Sequence, residues 1–377
     1  MIRTLLAVLL LATPAYAEMT IGAVLSLTGP SAGLGIPQAR TIDLLPRSVA
    51  GQAVRFVVLD DASDPAQAVR VTKKLIEEEH VDALLGPSNT PNSVAVLGVI
   101  GEAGVPMVSL SGSSAVIAPM DANRRWAFKL IPGERVATVQ IVDRMVAAGQ
   151  HTLGQIGFST ALGDGYIAAL TAQAAERGIQ TVAEVRYAPG DASVTPQVLR
   201  LMQARPDAVF VAASATPATT PILELRARGY AGPIYTVMGI AGPDALRVGG
   251  AALDGVMFSS VPVLVAEQLP DTDPVKAPAL AYIQAYEAVQ GPGSRSLFGA
   301  TLWDGWLLIA QAVPAALEAG APGTAPFRAA LRDGMERAHA LPGAEALFTL
   351  SPTDHSGAAA DSQVMVEIRG GAYRLLP

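Results

Sequence analysis

The sequence predicts an α/β protein of two doubly wound lobes, each a mainly parallel sheet with helices on both faces. Three observations predict it. Strand and helix patterns alternate along the chain. The alternation restarts after Trp126-Ala127-Phe128-Lys129 and runs for a similar length again. With 377 residues, the chain is long for one core and suits two.

The first unit opens with MTIGAVLSL, a β-rich run that ends at Thr28-Gly29-Pro30. VRFVVLDDASDP is a second strand, and its Asp64-Pro65 reads as a helix start. AQAVRVTKKLIEEE places Val69, Val71, Leu75 and Ile76 at helical spacing among charges. VDALLG is a third strand, SVAVLGVIGEAG a helix stopped by glycine, and VPMVSL a fourth strand. In the second unit RVATVQIVDRMVAAG is helical and TLGQIGFS is a strand; helix GDGYIAALTAQAAERG and strand IQTVAEVRY follow. TPQVLRLMQARP, DAVFVAAS, TPATTPILELRARG and PIYTVMG continue the alternation. Three helices come next, in LAYIQAYEAVQG, LFGATLWDGWLLIAQAVPAALEAG and APFRAALRDGM. The tail VMVEIRGGAYRLL reads as a hairpin turning at Gly370-Gly371.

Composition narrows the function. The net charge is −7, with no long run of either sign, so nucleic acid is not an expected partner. Half the residues are apolar, which excludes a disordered chain. No cysteine is present, so there is no disulfide and no thiolate metal site. The start, MIRTLLAVLLLATPAYA, has Arg3, an apolar core from Leu5 to Ala12 and a small-x-small ending, Ala15-Tyr16-Ala17. That is the pattern of a secretory signal, residues 1–17, removed before Glu18. Its core is shorter than the roughly 20 residues that span a bilayer. A periplasmic protein is expected.

In open α/β sheets ligands sit beyond the carboxyl ends of the strands. The candidate loops are therefore Gly29–Pro37, Gly86–Pro91 and Ser109–Ser114 in the first unit. In the second they are Ser159–Gly165, Ser214–Thr216 and Met238–Gly242. A serine nucleophile needs a base, and His80, His151, His339 and His355 all lie outside these loops. SLSGSS also lacks the Gly-x-Ser-x-Gly elbow. GPSAGLG is no phosphate-binding motif and has no lysine placed to neutralise a polyphosphate. Asp60 and Asp61 adjoin no histidine and no second acidic pair, so they read as capping and surface acids. No cofactor is implied. What remains is non-covalent capture: serine hydroxyls and free backbone N–H groups at a helix start form an anion site. In SLSGSS, Gly112 allows close approach while Ser111 and Ser113 supply hydroxyls. Capping of the following turn by Ser113 or Ser114 is the competing account of the same residues.

At these residues the chain resembles the periplasmic solute-binding proteins of ABC importers, in the leucine/isoleucine/valine-binding (type I) family. IGAVLSLTGPSAGLGIP, VVLDDASDPAQAV, VDALLGPSNTPNSVAV, VPMVSLSGSSAVIAP, WAFKLIP and SPTDHSG carry the resemblance, which spans the mature chain. It implies two Rossmann-like lobes joined by a three-strand hinge, with residues 18–132 and 263–345 in one lobe and 133–262 and 346–377 in the other. It implies a monomer that closes on a small molecule and docks on an inner-membrane permease; such closure is itself the handling of ligand typical of these proteins. It also implies that Ser111, Gly112 and Ser113 grip a ligand carboxylate, with Ser88 or Asn89 contributing. The acid that holds an α-ammonium in the family falls near Ile240 or Ala241 here and is missing. Family aromatic positions align with Leu34 and Leu162. With Met238 and Ser214, these residues make the expected pocket suited to an aromatic or apolar carboxylate. A branched-chain amino acid is the alternative ligand, and an exported serine hydrolase the alternative class. Trp303 and Trp306, three apart on an apolar helix, read as core; Trp126 could pack or rim the cleft.

Overall fold

Seven consecutive buried residues make β1 (Met19–Leu25) a central strand. The computed structural model describes residues 18–359 and 361–377, and the first lobe grows outward from this strand. The expected signal sequence, residues 1–17, lies outside the described residues. After β1 come α1 (Ala32–Ile42), β2 (Ser48–Val49), β3 (Gln52–Asp60), α2 (Pro65–Glu77) and β4 (Ala83–Leu85). The short helices α3 (Thr90–Ala95) and α4 (Leu97–Ala103) lead to β5 (Met107–Ser109) and β6 (Ala127–Lys129). The sheet order is β2-β3-β1-β4-β5-β6, with β2 antiparallel to β3 and the other pairs parallel. Ile21 lies opposite both Phe56 and Ala83, which fixes the register at the centre.

The second lobe repeats the plan. It runs α5 (Glu134–Ala147), β7 (Thr152–Phe158), α6 (Ala161–Glu176), β8 (Gln180–Tyr187), α7 (Thr195–Ala204) and β9 (Ala208–Ala212). Next are α8 (Thr219–Ala227), β10 (Ile234–Val237), α9 (Pro243–Gly249) and β11 (Val256–Ser260). Three helices follow, α10 (Lys276–Gln290), α11 (Leu297–Ala319) and α12 (Ala325–Glu336), then the small ladder β12 (Leu341–Pro342) and β13 (Leu347–Phe348). The chain ends in the hairpin β14 (Val364–Arg369) and β15 (Ala372–Leu375). Gly370 and Gly371 both have positive φ there, as the tight turn requires. The second sheet is ordered β15-β14-β11-β10-β9-β7-β8.

The two faces of the first sheet can be read from β1. Met19, Ile21, Ala23 and Leu25 join the core under α11 and α12, while Val24 joins the one under α2 and α4. Helix α11 is buried along most of its length, as expected of a helix apolar almost all round. Trp306 packs edge-on to Phe56, with ring centroids 5.3 Å apart. In the second sheet, Gly154 and Gly157 are three apart on β7 and lie on opposite faces, toward α7 and α6 respectively. The chain passes between the sheets three times: after β6, after β11 and before β14.

Three local readings are corrected. Gly29–Pro37, expected as a loop, becomes helical at Ala32. Its Gly35 serves close packing and not a turn: a Cβ there would lie 2.1 Å from Ser26 O. Likewise Ser159–Gly165 is already helix from Ala161, and a Cβ at Gly163 would lie 2.0 Å from Phe158 O. Each lobe thus presses the helix that follows its first strand onto the end of that strand by the same device. The helix expected over SVAVLGVIGEAG is two short helices, beginning at Thr90 and breaking at Val96. Strand β11 carried no clear signal and completes the parallel part of its sheet.

Candidate ligand site between the lobes

In each sheet the strand order reverses its direction of growth once, between β1 and β4 and between β7 and β9. Loops on either side of such a switch diverge and leave a crevice at the strand ends. The two crevices face each other and enclose a cavity of about 110 Å³. Pro30, Ser31, Leu34, Ser88, Asn89, Thr90 and Pro91 line it from the first switch, with Leu110 and Gly112 from the end of β5. Phe158, Thr160, Leu162, Tyr166, Ser214 and Pro217 line it from the second, with Val237, Met238 and Gly239 from the end of β10. Leu297 and Phe298, at the start of α11, close one side.

The walls are apolar and aromatic, and no Asp, Glu, Lys or Arg is among the lining residues. Phe158 is held edge-on against Tyr187, with ring centroids 5.1 Å apart, and the Tyr187 hydroxyl donates to Pro217 O at 3.1 Å. Leu162 and Tyr166 are four apart on α6 and so share its cavity face. Burial, reinforced by the nearby Glu134 charge, pushes the Tyr166 phenol far up, so it is a neutral donor. Two further hydroxyls stand out. Thr90 Oγ1 and Thr160 Oγ1 are buried, line the cavity from opposite lobes and have no hydrogen-bond partner among the described residues. A buried, unbonded hydroxyl costs about 1–3 kcal/mol unless something completes it. Each is left for a ligand or a water to complete.

Seven of the expected site residues lie on this wall: Leu34, Ser88, Asn89, Gly112, Leu162, Ser214 and Met238. Ser88 and Asn89 are committed internally. Ser88 Oγ accepts from Ser26 N–H at 3.0 Å and donates to Gln38 Oε1 at 2.6 Å. Asn89 caps α3 by accepting from Asn92 N–H at 3.0 Å, and its amide donates to Ser26 Oγ at 3.1 Å. Gly112 brings bare backbone to the wall; a Cβ there would be 3.2 Å from Leu162 Cδ1. Ser111, Ser113 and Ile240 are buried and are not on the wall. Ser111 ends a chain of hydroxyls in which Ser93, Ser109 and Ser111 follow at 2.9 Å steps. The Ser113 hydroxyl donates to Glu134 Oε1 at 2.7 Å. Ile240 lies in a turn just past β10 and joins the core of the second lobe.

Sequence reasoning missed Thr90, Thr160, Tyr166, Phe158 and Phe298. Thr90 and Thr160 lay inside candidate loops, and the signal that could have found them was a hydroxyl beside a helix start. The aromatic positions carry no local signal, because a cavity-facing ring and a core ring read alike.

The surrounding acids brace the loops. Asp60 Oδ1 accepts from Leu27 N–H at 2.9 Å and Ala62 N–H at 2.8 Å. Burial pushes its pKa up, but bonds from Thr28, Ala62 and Leu27 outweigh this and hold it below the usual range. Burial raises Asp61, which accepts from Ser26 Oγ at 2.7 Å. Asp244 lies away from the cavity on α9, exposed and paired with Arg247 at 3.2 Å. Trp303 and Trp306 are in the core, and Trp126 stacks under the Arg332 guanidinium at 4.4 Å; none of the three lines the cavity.

The fold and cavity have counterparts among known proteins. Residues 18–372 match the family model described as periplasmic binding protein. A crystal structure of an extracellular ligand-binding receptor from Rhodopseudomonas palustris HaA2 is 38% identical, with a TM-score of 0.92. The alignment covers 96% of this chain and 100% of that one. The Leu/Ile/Val-binding protein homolog 3 of Brucella melitensis is 23% identical over 261 residues, 66% of this chain and 69% of that protein. The substrate-binding protein LivJ of Streptococcus pneumoniae, solved in complex with isoleucine, shares the fold at 19% identity and a TM-score of 0.79, over 95% of this chain and 99% of its own. With the two facing switch points and the cavity between them, these matches place the chain in the periplasmic binding protein family, in its type I, Leu/Ile/Val-binding class.

Proposed function

We propose that this protein captures a small carboxylate with an aromatic or apolar body between its lobes and delivers it, unaltered, to an ABC permease. One observation carries the ligand class: the cavity is walled by apolar and aromatic side chains and neutral hydroxyls, with no charged side chain. An α-amino acid would bury its ammonium there without a counter-charge. That leaves one partner of an ion pair missing, a loss of several kcal/mol. A carboxylate can instead be held by charge-assisted bonds from hydroxyls and backbone N–H groups. Thr90, Thr160 and Tyr166 supply such donors, and Gly112 bares its backbone. The volume favours one ring or a short branched chain, since an apolar cavity near 150 Å³ accepts benzene.

Capture without chemistry accords with a family of solute-binding proteins and with serines bound to one another and to Glu134. The ligand is released unchanged, the protein acts as a monomer, and residues 1–17 direct its export to the periplasm. A branched-chain amino acid is the second reading, favoured by the names of the Brucella and Streptococcus proteins.

A thermal-shift screen decides between them. Benzoate, phenylacetate and 3-phenylpropanoate are compared with leucine, isoleucine and valine on the chain from Glu18 onward. A binder at one hundred times its Kd stabilises the fold by about 2.7 kcal/mol. Aromatic acids are expected to raise Tm. If only the amino acids do so, the ligand class is wrong.

A further inference from the structure

The Ser113 hydroxyl, expected to meet the ligand's acid, meets an acid of the protein itself. Glu134 is the first residue of α5, just beyond the first passage between the lobes. Its Oε1 accepts from Ser113 Oγ at 2.7 Å, and its two oxygens accept from Ser114 N–H at 2.9 and 3.0 Å. Ser113 and Ser114 belong to the loop after β5 in the first lobe, whereas α5 packs on α6 in the second. Ser113 Oγ also lies 3.4 Å from Ala161 O, at the start of α6.

We propose that Glu134 is a latch: its carboxylate fastens the serine loop of the first lobe to α5 and α6 of the second, and so sets how long the cleft stays shut on its ligand. The inference rests on the reading of solute capture between the lobes. The surroundings are shaped for it. Helix α6 leaves a notch, because a Cβ at Gly165 would lie 2.6 Å from Glu134 Oε1. A second notch sits at Gly133, where a Cβ would lie 2.9 Å from Ser114 Oγ. The carboxylate is only 6% exposed, so little water competes for its bonds. Parting the loop from the two helices breaks these charge-assisted bonds together. The ligand is left to Thr90, Thr160, Tyr166 and the backbone of Gly112, while Ser113 works on closure. Ser113 Oγ also caps the turn at Ser114–Val116 by accepting from Ala115 N–H at 3.3 Å, but that bond stays within the loop and does not govern the distance between lobes.

The test measures that distance without ligand. The chain has no cysteine, so spin labels can be placed through Arg70→Cys on α2 and Arg200→Cys on α7, both exposed. Glu134→Ala and Ser113→Ala are expected to shift the interlobe distances toward longer values. Glu134→Gln, which keeps one acceptor oxygen in place, is expected to fall between them and the parent. Benzoate is the probe for release, which should quicken about tenfold or more, the effect of one lost charge-assisted bond. Unchanged distances in Glu134→Ala with a lowered Tm would reduce Glu134 to a structural cap and overturn the proposal. If Glu134→Ala does not fold, Ser113→Ala decides by the same criterion. Failure of benzoate to bind the parent would count against the ligand class alone, because the distance measurement needs no ligand.

Discussion

At the scale of single residues, the proposed ligand site rests on two hydroxyls, of Thr90 and Thr160, that have no partner among the described residues. Thr90→Val and Thr160→Val keep the shape of each side chain and remove only the hydroxyl. Neither hydroxyl has a partner among the described residues, so each variant should melt at or slightly above the parent's temperature without ligand. Ligand affinity should fall by about 1–2 kcal/mol, roughly five- to thirtyfold, by titration calorimetry. A loss of stability with unchanged affinity would show the hydroxyls to be structural. Part of the wall was legible at this scale: asking which residues succeed a strand gave the loops that hold Leu34, Asn89, Gly112, Leu162 and Met238, and the family resemblance singled out Leu34 and Leu162 within them. The partner of Ser113 was not, because Glu134 stands 21 positions away across the lobe boundary. No local pattern marks a contact made only by the packing of two separately folded sheets.

At the scale of elements, the turn between β12 and β13 is tied to α11 by two buried acids. Asp304 accepts from Ala344 N–H at 2.7 Å and Glu345 N–H at 2.9 Å, and Glu345 Oε1 accepts from Thr301 Oγ1 at 2.9 Å. Glu345 Oε2 has no partner among the described residues. Burial pushes Asp304 up to about 7, against the two N–H bonds. Burial, then the Asp304 charge, raises Glu345 well above the usual range, against the bond from Thr301. Both carboxyls therefore bind protons more tightly folded than unfolded. Their contribution is full below about pH 4 and falls as pH rises, through about 7 for Asp304. Burial also raises Asp61 and Asp82, while hydrogen bonds lower Asp60 and Asp207, so the absolute pH slope mixes signs. Comparison with Glu345→Gln isolates the pair, since the amide oxygen can keep the Thr301 bond. The variant should be more stable than the parent by about 1–3 kcal/mol at pH 7.5 and by little at pH 4. Equal melting curves at both pH values would show that the pair carries no such strain. Elements themselves were legible where periodicity was strong, as in α2 and β7. They were less so where glycine served packing, as at Gly35 and Gly163, because a glycine that admits a neighbouring carbonyl looks in sequence like one that makes a turn.

At the scale of the whole molecule, two sheets of the same winding face each other so that their switch points share one cavity. The repeated winding followed from the restart of the strand–helix rhythm; the shared cavity did not, since it depends on how the lobes meet. The arrangement makes a distinct prediction for hydrogen exchange. A ligand held by both walls must slow opening on both, because each wall's loops can then open only by giving up ligand contacts. Addition of a bound aromatic acid should protect segments 86–92 and 110–114 of the first lobe together with 158–167 and 213–219 of the second. The edge hairpin at the far side of the second sheet, residues 364–375, should exchange as before, because it touches neither wall. Protection confined to one lobe would mean that the solute sits on a single sheet. The closing of one lobe upon the other would then play no part in holding it.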